Sequence, residues 1–374
     1  MSLARSSFKA CEIPALVKDT FGLEVTVEAE LDSYDDQNFL IHANFLSPNP
    51  SNIPIVWQHG YVFKILNSED SKEPDYIDAQ TKMIVHVAKA GYPTPAPVLS
   101  VNNRYMESVC SGTPQTAHLA RLFEFMPGKT LDKVPLTNQL CYEIGWFAGK
   151  LNITLKTCFI TENISSAMTR KWNLSELPSL RQDLHVIKST KQRSLIEEVI
   201  DEFEKHILNQ SYSFSKGLIH SDFNDGNILV EQGTGYQQAN DPNIFGENKI
   251  NNNEYHICGI IDFGDATNSL YIYDLAIAIA YAMINKHSFP PMEAARNVLS
   301  GYLKHMHLSE WELKHLRLVI CARFVQSLVI GGTSLLKEPE NMYIPLHMRR
   351  IWPVLMNVWN RTDSEILSEI MGKT

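Results

Sequence analysis

No cluster of Lys and Arg, no CxxC pair and no long uninterrupted apolar stretch occurs in the 374 residues. Without a basic run the chain has no electrostatic footprint for nucleic acid or an anionic membrane. Its six cysteines (Cys11, Cys110, Cys141, Cys158, Cys258, Cys321) lie far apart, and no CxxC…HxxxH pattern offers a zinc site, so reduced, mostly buried thiols are expected. The longest apolar run, "LYIYDLAIAIAYAMI" from Leu270, has fifteen residues and contains Asp274. That is short for a membrane span. The opening "MSLARSSFKACEIP" lacks the apolar core of a secretory signal. These absences together predict a soluble, cytoplasmic protein with no nucleic-acid and no membrane partner. A formal charge of -9 suits a cationic small molecule better than an anionic polymer.

The 374-residue length suggests two domains, and a hydrophobic content of 44% supplies a large core. "LEVTVEAE", "QNFLIHANF" and "PIVWQHGYVFKIL" read as three strands, the third ending near Lys64. "PDYIDAQTKMIVHVAKAG" carries apolar residues at near-helical spacing, and Gly91 stops it. "ARLFEFMPGKTL" is a strand broken at Pro127-Gly128. Beyond it helices dominate, starting with "TNQLCYEIGWFAGKLNITL", capped by Thr137 or Asn138. One polar hairpin, "GLIHSDFNDGNILV", interrupts them, and an Asn- and Gly-rich insert, Glu231 to Tyr255, is an exposed loop between paired strands. The reading is an α+β, two-lobed chain: a β-rich N-terminal lobe over residues 1–126 and a mostly helical C-terminal lobe over 127–374, with a cleft at the connector.

The chemistry concentrates in that polar stretch. In "HSDFNDGN" Asp222 and Asn227 stand five positions apart, and Asp262 follows in "IIDFG". Phosphoryl transfer by kinases uses an Asp that accepts the proton of the attacking hydroxyl, with an Asn and a second Asp holding magnesium ions on the phosphates. Oxygen donors suit a hard cation, and a positioned carboxylate contributes roughly 100- to 10,000-fold as a general base. An isolated DFG is usually a turn after a strand, and one HxDxxxxN match arises by chance. The two in order, each beside an apolar run, are far more specific. Asp222 is therefore assigned as base, Asn227 and Asp262 as metal ligands, and His220 as a structural residue that hydrogen-bonds the loop.

A kinase also needs a cation on the phosphates, and "YVFKIL" puts Lys64 at a strand end. The following helix has no Glu for it; Asp78 is the favoured partner over Gln80. No glycine loop lies between the first strands, where "LDSYDDQNFL" stands instead. The Ser33 hydroxyl and backbone N–H groups are the remaining phosphate donors, provided Asp35 and Asp36 are turned away or bridged by metal. "FEFMPGKT" imitates the end of a GxxxxGK[ST] loop, yet its first glycine falls on Phe123. The segment is better read as a connector whose backbone from Glu124 to Met126 meets a purine edge. His305, His307 and His315 match no zinc spacing and are expected on a surface or helix face.

"LIHSDFNDGNILV", "GIIDFGDA" and "YDLAIAIAYAM" resemble the aminoglycoside phosphotransferase and choline kinase superfamily. "SYDDQNF", "FKI", "AGYPTPAP", "MPGKTL", "RKWNL" and "CARFVQSLV" are most similar to its hydroxylysine kinases, and the likeness covers all but the Asn-rich insert and the last residues. The resemblance implies a protein-kinase-like bilobal fold with Mg2+ and GTP or ATP. It also implies transfer of the gamma-phosphoryl group to the hydroxyl of 5-hydroxy-L-lysine, in lysine degradation. Choline, homoserine-like molecules and aminoglycosides are alternative acceptors, and a nucleotide-binding pseudokinase is the non-enzymatic alternative. For a zwitterionic amine, Asp225 or Asp265 is placed to face an ammonium group, and Arg323, Arg170 or Arg121 to meet a carboxylate.

Overall fold

The computed structural model describes residues 6–33, 35–44, 56–111, 116–159, 171–233, 254–286, 288–337 and 343–372. Among these, residues through Pro127 form one compact unit and those from Gly128 onward a second.

The first unit is built on an antiparallel five-stranded sheet of order β1-β2-β3-β5-β4: β1 (Glu24–Leu31), β2 (Gln37–Asn44), β3 (Tyr61–Ile65), β4 (Glu107–Ser111) and β5 (Thr116–Glu124). In β3 the alternation is strict: Tyr61, Phe63 and Ile65 are fully buried, while Val62 and Lys64 point to the other face. Gly60 leads into this strand with φ of 85°, and a Cβ there would stand 2.6 Å from the Ile41 carbonyl oxygen, so the turn requires glycine.

A helix absent from the sequence reading, α1 (Ile13–Phe21), covers the core face. Its signals are local: Pro14 in the first turn and Gly22 in the left-handed C-cap, whose N–H donates to the Lys18 carbonyl. Ile13, Val17 and Phe21, one turn apart, are fully buried against Val25, Phe39, Phe63 and Leu122. Each such side chain contributes about 1.5–3 kcal/mol. Helix α2 (Pro74–Lys89) forms as the spacing predicts and ends before Gly91, whose φ is 77°.

The second unit is mainly helical: α3 (Asn138–Leu155), α4 (Thr190–Phe203), α5 (Tyr271–Ile284), α6 (Pro291–Tyr302), α7 (Glu310–Lys337), α8 (Tyr343–Trp359) and α9 (Asp363–Ile370). Thr137, not Asn138, caps α3, its hydroxyl accepting from the Leu140 N–H at 3.1 Å. Helices α3 and α6 touch through glycine: a Cβ on Gly145 would lie 1.7 Å from the Val298 carbonyl oxygen, and one on Gly301 2.0 Å from that of Tyr142. Helix α7 is long and apolar enough to cross a membrane, but 83% of its apolar window is buried inside the protein, as expected of a core helix.

One expectation fails. The strands β7 (Lys216–Ile219) and β8 (Ile228–Gln232), which flank the polar stretch, do not pair into a hairpin. β7 pairs with β10 (Thr267–Leu270), and β8 with β6 (Lys129–Thr130) and β9 (Tyr255–Ile260). The period-two pattern identified the strands but carries no information on which partner closes each ladder. β8 and β9 do pair across the Asn-rich insert, most of which lies outside the described residues. None of the six cysteines is disulfide-bonded; Cys141, Cys158 and Cys321 are buried, Cys258 is half-buried, and Cys11 and Cys110 are exposed.

Candidate active site

In the N-terminal unit, Lys64 pairs with Asp36 at 3.1 Å, both side chains being only 13% exposed. The expected partner Asp78 is engaged elsewhere, with Lys82 one turn along its own helix at 2.5 Å. Strand register explains the difference: Lys64 lies across from Asn38 on β2, and Asp36 stands immediately before that strand. Asp36 is further held by the backbone and side-chain amides of Asn67, at 2.9 and 3.1 Å. The acid that would repel phosphates is thus turned onto the lysine. The Ser33 hydroxyl donates to the Asp36 carbonyl and so stabilises this glycine-free turn. At the unit's end the Glu124 N–H donates to Ala96, the Phe125 N–H to Gly60, and Met126 is half-buried. Burial raises the Glu124 carboxyl above its usual range. Arg121 is buried, donating to Thr81 and stacked over Phe123, so its guanidinium serves packing and not a substrate carboxylate. Arg170, the other candidate, lies outside the described residues.

In the C-terminal unit the segment after β7 turns sharply, with Ser221 at φ of 67°. Such a conformation costs about 1–3 kcal/mol for a residue with a side chain. Asp274, in the first turn of α5, holds it: Oδ1 accepts from the Ser221 N–H at 2.7 Å, and Oδ2 from the His220 N–H at 3.0 Å and from Asn152 Nδ2 at 2.7 Å. Tyr302 in turn donates to Asn152 Oδ1 at 2.8 Å. Asp274 is fully buried, and burial raises its pKa while these N–H donors and the adjoining His220 favour the carboxylate. Sequence reasoning noted Asp274 only as a charge inside an apolar run; a carboxylate in the middle of "YDLAIAIAYAM" was the available signal.

His220 is buried between Phe223 and Phe263, its Nε2 bonding the Ile261 carbonyl at 3.1 Å and its Nδ1 meeting the Asp222 N–H at 3.3 Å. It spans the two sequence segments, as a structural residue should. A second tie joins them, the Ile261 N–H donating to the Asn227 carbonyl at 2.9 Å. Asp262, next in the chain, is exposed with φ of 60°.

Asp222 is well supplied with donors. Oδ2 accepts from Asn224 Nδ2 at 2.7 Å and Asn227 Nδ2 at 2.9 Å, and Oδ1 from Arg323 Nη2 at 2.6 Å. Arg323 is therefore not waiting for a substrate carboxylate. It is 1% exposed and ion-paired to Asp222, with its guanidinium between Trp172 and Tyr281 at 4.8 and 5.3 Å. With Asn227 Nδ2 turned to Asp222, its Oδ1 accepts no hydrogen bond among the described residues. That oxygen and the Asp262 carboxylate form an all-oxygen donor set, which fits a hard divalent cation.

Of the residues considered for an ammonium group, Asp225 accepts from Asn285 Nδ2 at 3.1 Å, and burial with the nearby Asp132 carboxylate pushes it up to about 7. Asp265 is half-buried in the turn before β10. Among the described residues no group of three or more His, Cys, Asp or Glu is arranged to hold a metal. His305 packs edge-on against Trp146, burial holding it down to about 4, and His315 lies against Trp311 and Phe214; only His307 is exposed.

Residues 51–238 match the model of the phosphotransferase enzyme family. The chain belongs to that family. It is similar to the hydroxylysine kinase of Bos taurus, 31% identical with 96% of this chain and 91% of the relative covered, and to that of Xenopus laevis, 32% identical with 92% and 87% covered. Among solved structures, an amicoumacin kinase in complex with AMP-PNP, Ca2+ and Ami shares the fold at a TM-score of 0.63 and 15% identity, covering 98% of this chain and 94% of that one. A choline kinase from Cryptosporidium parvum does so at 0.56 and 13%, with 97% and 99% covered. The fold is thus protein-kinase-like, and the chain is a phosphotransferase acting on an alcohol, a small-molecule kinase with a nucleotide co-substrate.

Proposed function

We propose that the protein transfers the gamma-phosphoryl group of GTP or ATP to the hydroxyl of 5-hydroxy-L-lysine. The observation that carries the reading is the Asp222 carboxylate, anchored by three donors and 19% exposed, so it is fixed yet reachable. The likeness to hydroxylysine kinases over nearly the whole chain supplies the acceptor.

In the reaction the alcohol oxygen forms a bond to the gamma phosphorus, the bond from phosphorus to the bridging oxygen breaks, and the nucleoside diphosphate leaves with that electron pair. Asp222 accepts the hydroxyl proton as the new bond forms and later returns it to solvent. Lys64, kept extended by Asp36, contributes the phosphate contact, with the Ser33 turn beside it, and the Glu124 to Met126 backbone is assigned to the purine. Asn227 and Asp262 would hold magnesium, which when bound neutralises phosphate charge. Asp225 and Asp265 face the ammonium groups of the acceptor. A cytoplasmic location is part of this proposal.

Release of GDP or ADP by the purified protein, with each nucleotide supplied separately, tests this across 5-hydroxylysine, lysine, choline, homoserine and an aminoglycoside. Turnover with 5-hydroxylysine and not lysine is expected. Asp222→Asn should lose about 100-fold or more in kcat while still binding nucleotide; comparable turnover would remove Asp222 from the role of base.

A further inference from the structure

Two short motifs, "RKWNL" and "CARFVQSLV", lie over a hundred residues apart in the chain. In the structure they meet. From α7, Gln326 Nε2 donates to the carbonyls of Lys171 at 2.9 Å and Asn173 at 3.2 Å, and Arg323 Nη1 to Gln326 Oε1 at 2.9 Å. The Arg323 guanidinium lies between the Trp172 and Tyr281 rings, and Nη2 reaches Asp222 at 2.6 Å, with the Tyr281 hydroxyl 3.3 Å away. A guanidinium wedged between two rings and tied by one amine to Gln326 has no second orientation.

The consequence lies in the lone pairs of the base. A carboxylate offers about four acceptor positions, two on each oxygen. On Asp222 Oδ2 both are taken, by Asn224 and Asn227, and on Oδ1 one is taken by Arg323. Among the described residues one acceptor position is left, on Oδ1.

We propose that Arg323 is the positioning residue of the base, holding the Asp222 carboxylate so that the attacking alcohol docks at the remaining Oδ1 position. The inference rests on Asp222 being the base, not on the identity of the alcohol. Without Arg323, Oδ1 has two open positions and the carboxylate is anchored from one side only, free to swing about the bond to its Cα-bearing carbon. A displacement near 1 Å at a reacting group costs on the order of 100-fold. Arg323 touches neither nucleotide nor alcohol in this arrangement, so its removal should fall on kcat.

The test compares wild type with Arg323→Ala, which opens a guanidinium-sized space, and Arg323→Met, which fills it. Two turnovers are followed: phosphorylation of 5-hydroxylysine, and slow hydrolysis of the nucleotide with water as acceptor, which uses the same base without any amine. In both variants kcat should fall roughly 100-fold, while the nucleotide Kd and the acceptor KM change less than about threefold. Added guanidinium should restore about tenfold or more to Arg323→Ala and nothing to Arg323→Met or Asp222→Asn. A merely structural residue would not show that pattern. Turnover of either variant within about threefold of wild type, or a loss in Arg323→Ala that guanidinium does not relieve although that variant still binds nucleotide, overturns the proposal. Should Arg323→Ala fail to bind nucleotide, the volume-filling Arg323→Met decides: a roughly 100-fold loss in kcat with nucleotide Kd retained supports positioning, and kcat within about threefold of wild type refutes it. Wild type that hydrolyses nucleotide but ignores 5-hydroxylysine would refute the substrate and leave Arg323 still judged by hydrolysis.

Discussion

Asp274 never meets a substrate, yet its replacement by Asn should disable the enzyme. The two side chains have the same shape, so the effect isolates donors and acceptors. The carboxylate receives three N–H groups, one on Oδ1 and two on Oδ2. An amide keeps one oxygen. Its cheaper orientation leaves that oxygen on His220 and Asn152 and turns an NH2 toward the Ser221 N–H, where donor meets donor. One hydrogen bond to a charged group, about 1.5–3 kcal/mol, is lost, and the Ser221 N–H is stranded in a residue already held at φ of 67°. Relief from burying a charge returns part of this. A net destabilisation of about 2 kcal/mol is expected in urea unfolding. The larger effect is local: when Ser221 relaxes, Asp222 moves with it, and kcat should fall about 100-fold with nucleotide affinity retained. Asp274→Asn that keeps kcat within about threefold of wild type per folded molecule would show that the turn is set elsewhere and refute the reasoning.

Two further outcomes follow from groups remote from the reacting atoms. His256 Nδ1 bonds Glu143 Oε1 at 2.7 Å with both side chains nearly buried, and this hydrogen bond raises the His256 pKa above its usual value. A histidine raised in the folded state stabilises fully below the unfolded value, about 6.5, and the contribution disappears as pH rises through the folded value. The melting temperature of wild type should therefore exceed that of Glu143→Gln by more at pH 6 than at pH 9; a gap independent of pH would show the pair is not charged. Gly145→Ala places a methyl 1.7 Å from the Val298 carbonyl oxygen, so α3 and α6 must separate. A loss of roughly 3 kcal/mol is expected, at the upper end of overpacking costs, and a urea midpoint unchanged from wild type would contradict the close helix approach.

Much of the site was legible because its chemistry dictates residue type at short range. The five-residue spacing from Asp222 to Asn227 lies within one loop, and both side chains converge there: Asn227 Nδ2 reaches the Asp222 carboxylate at 2.9 Å. Lys64 was legible as a lysine at the end of the third strand, where a phosphate contact is needed. Partners that depend on tertiary register were not. Asp78 was the partner expected for Lys64, and the pairing of β2 with β3 selects Asp36 instead. Helix α1 was missed although its Pro and Gly punctuation stood in plain view, since nine residues give little periodicity to read.

Arg323 shows where such reading goes astray in a more instructive way. Arg323 in "CARFVQSLV" was offered, beside Arg170 and Arg121, to a substrate carboxylate, and burying a guanidinium alone is costly. The inference that it needs an anion was sound, and the anion was already in the chain, 101 positions earlier at Asp222. A buried cation predicts that a counter-charge exists without saying whether the protein or its substrate provides it. The structure assigns it to Asp222, and under the proposed function the carboxylate of the acceptor has to be met by a donor other than Arg323.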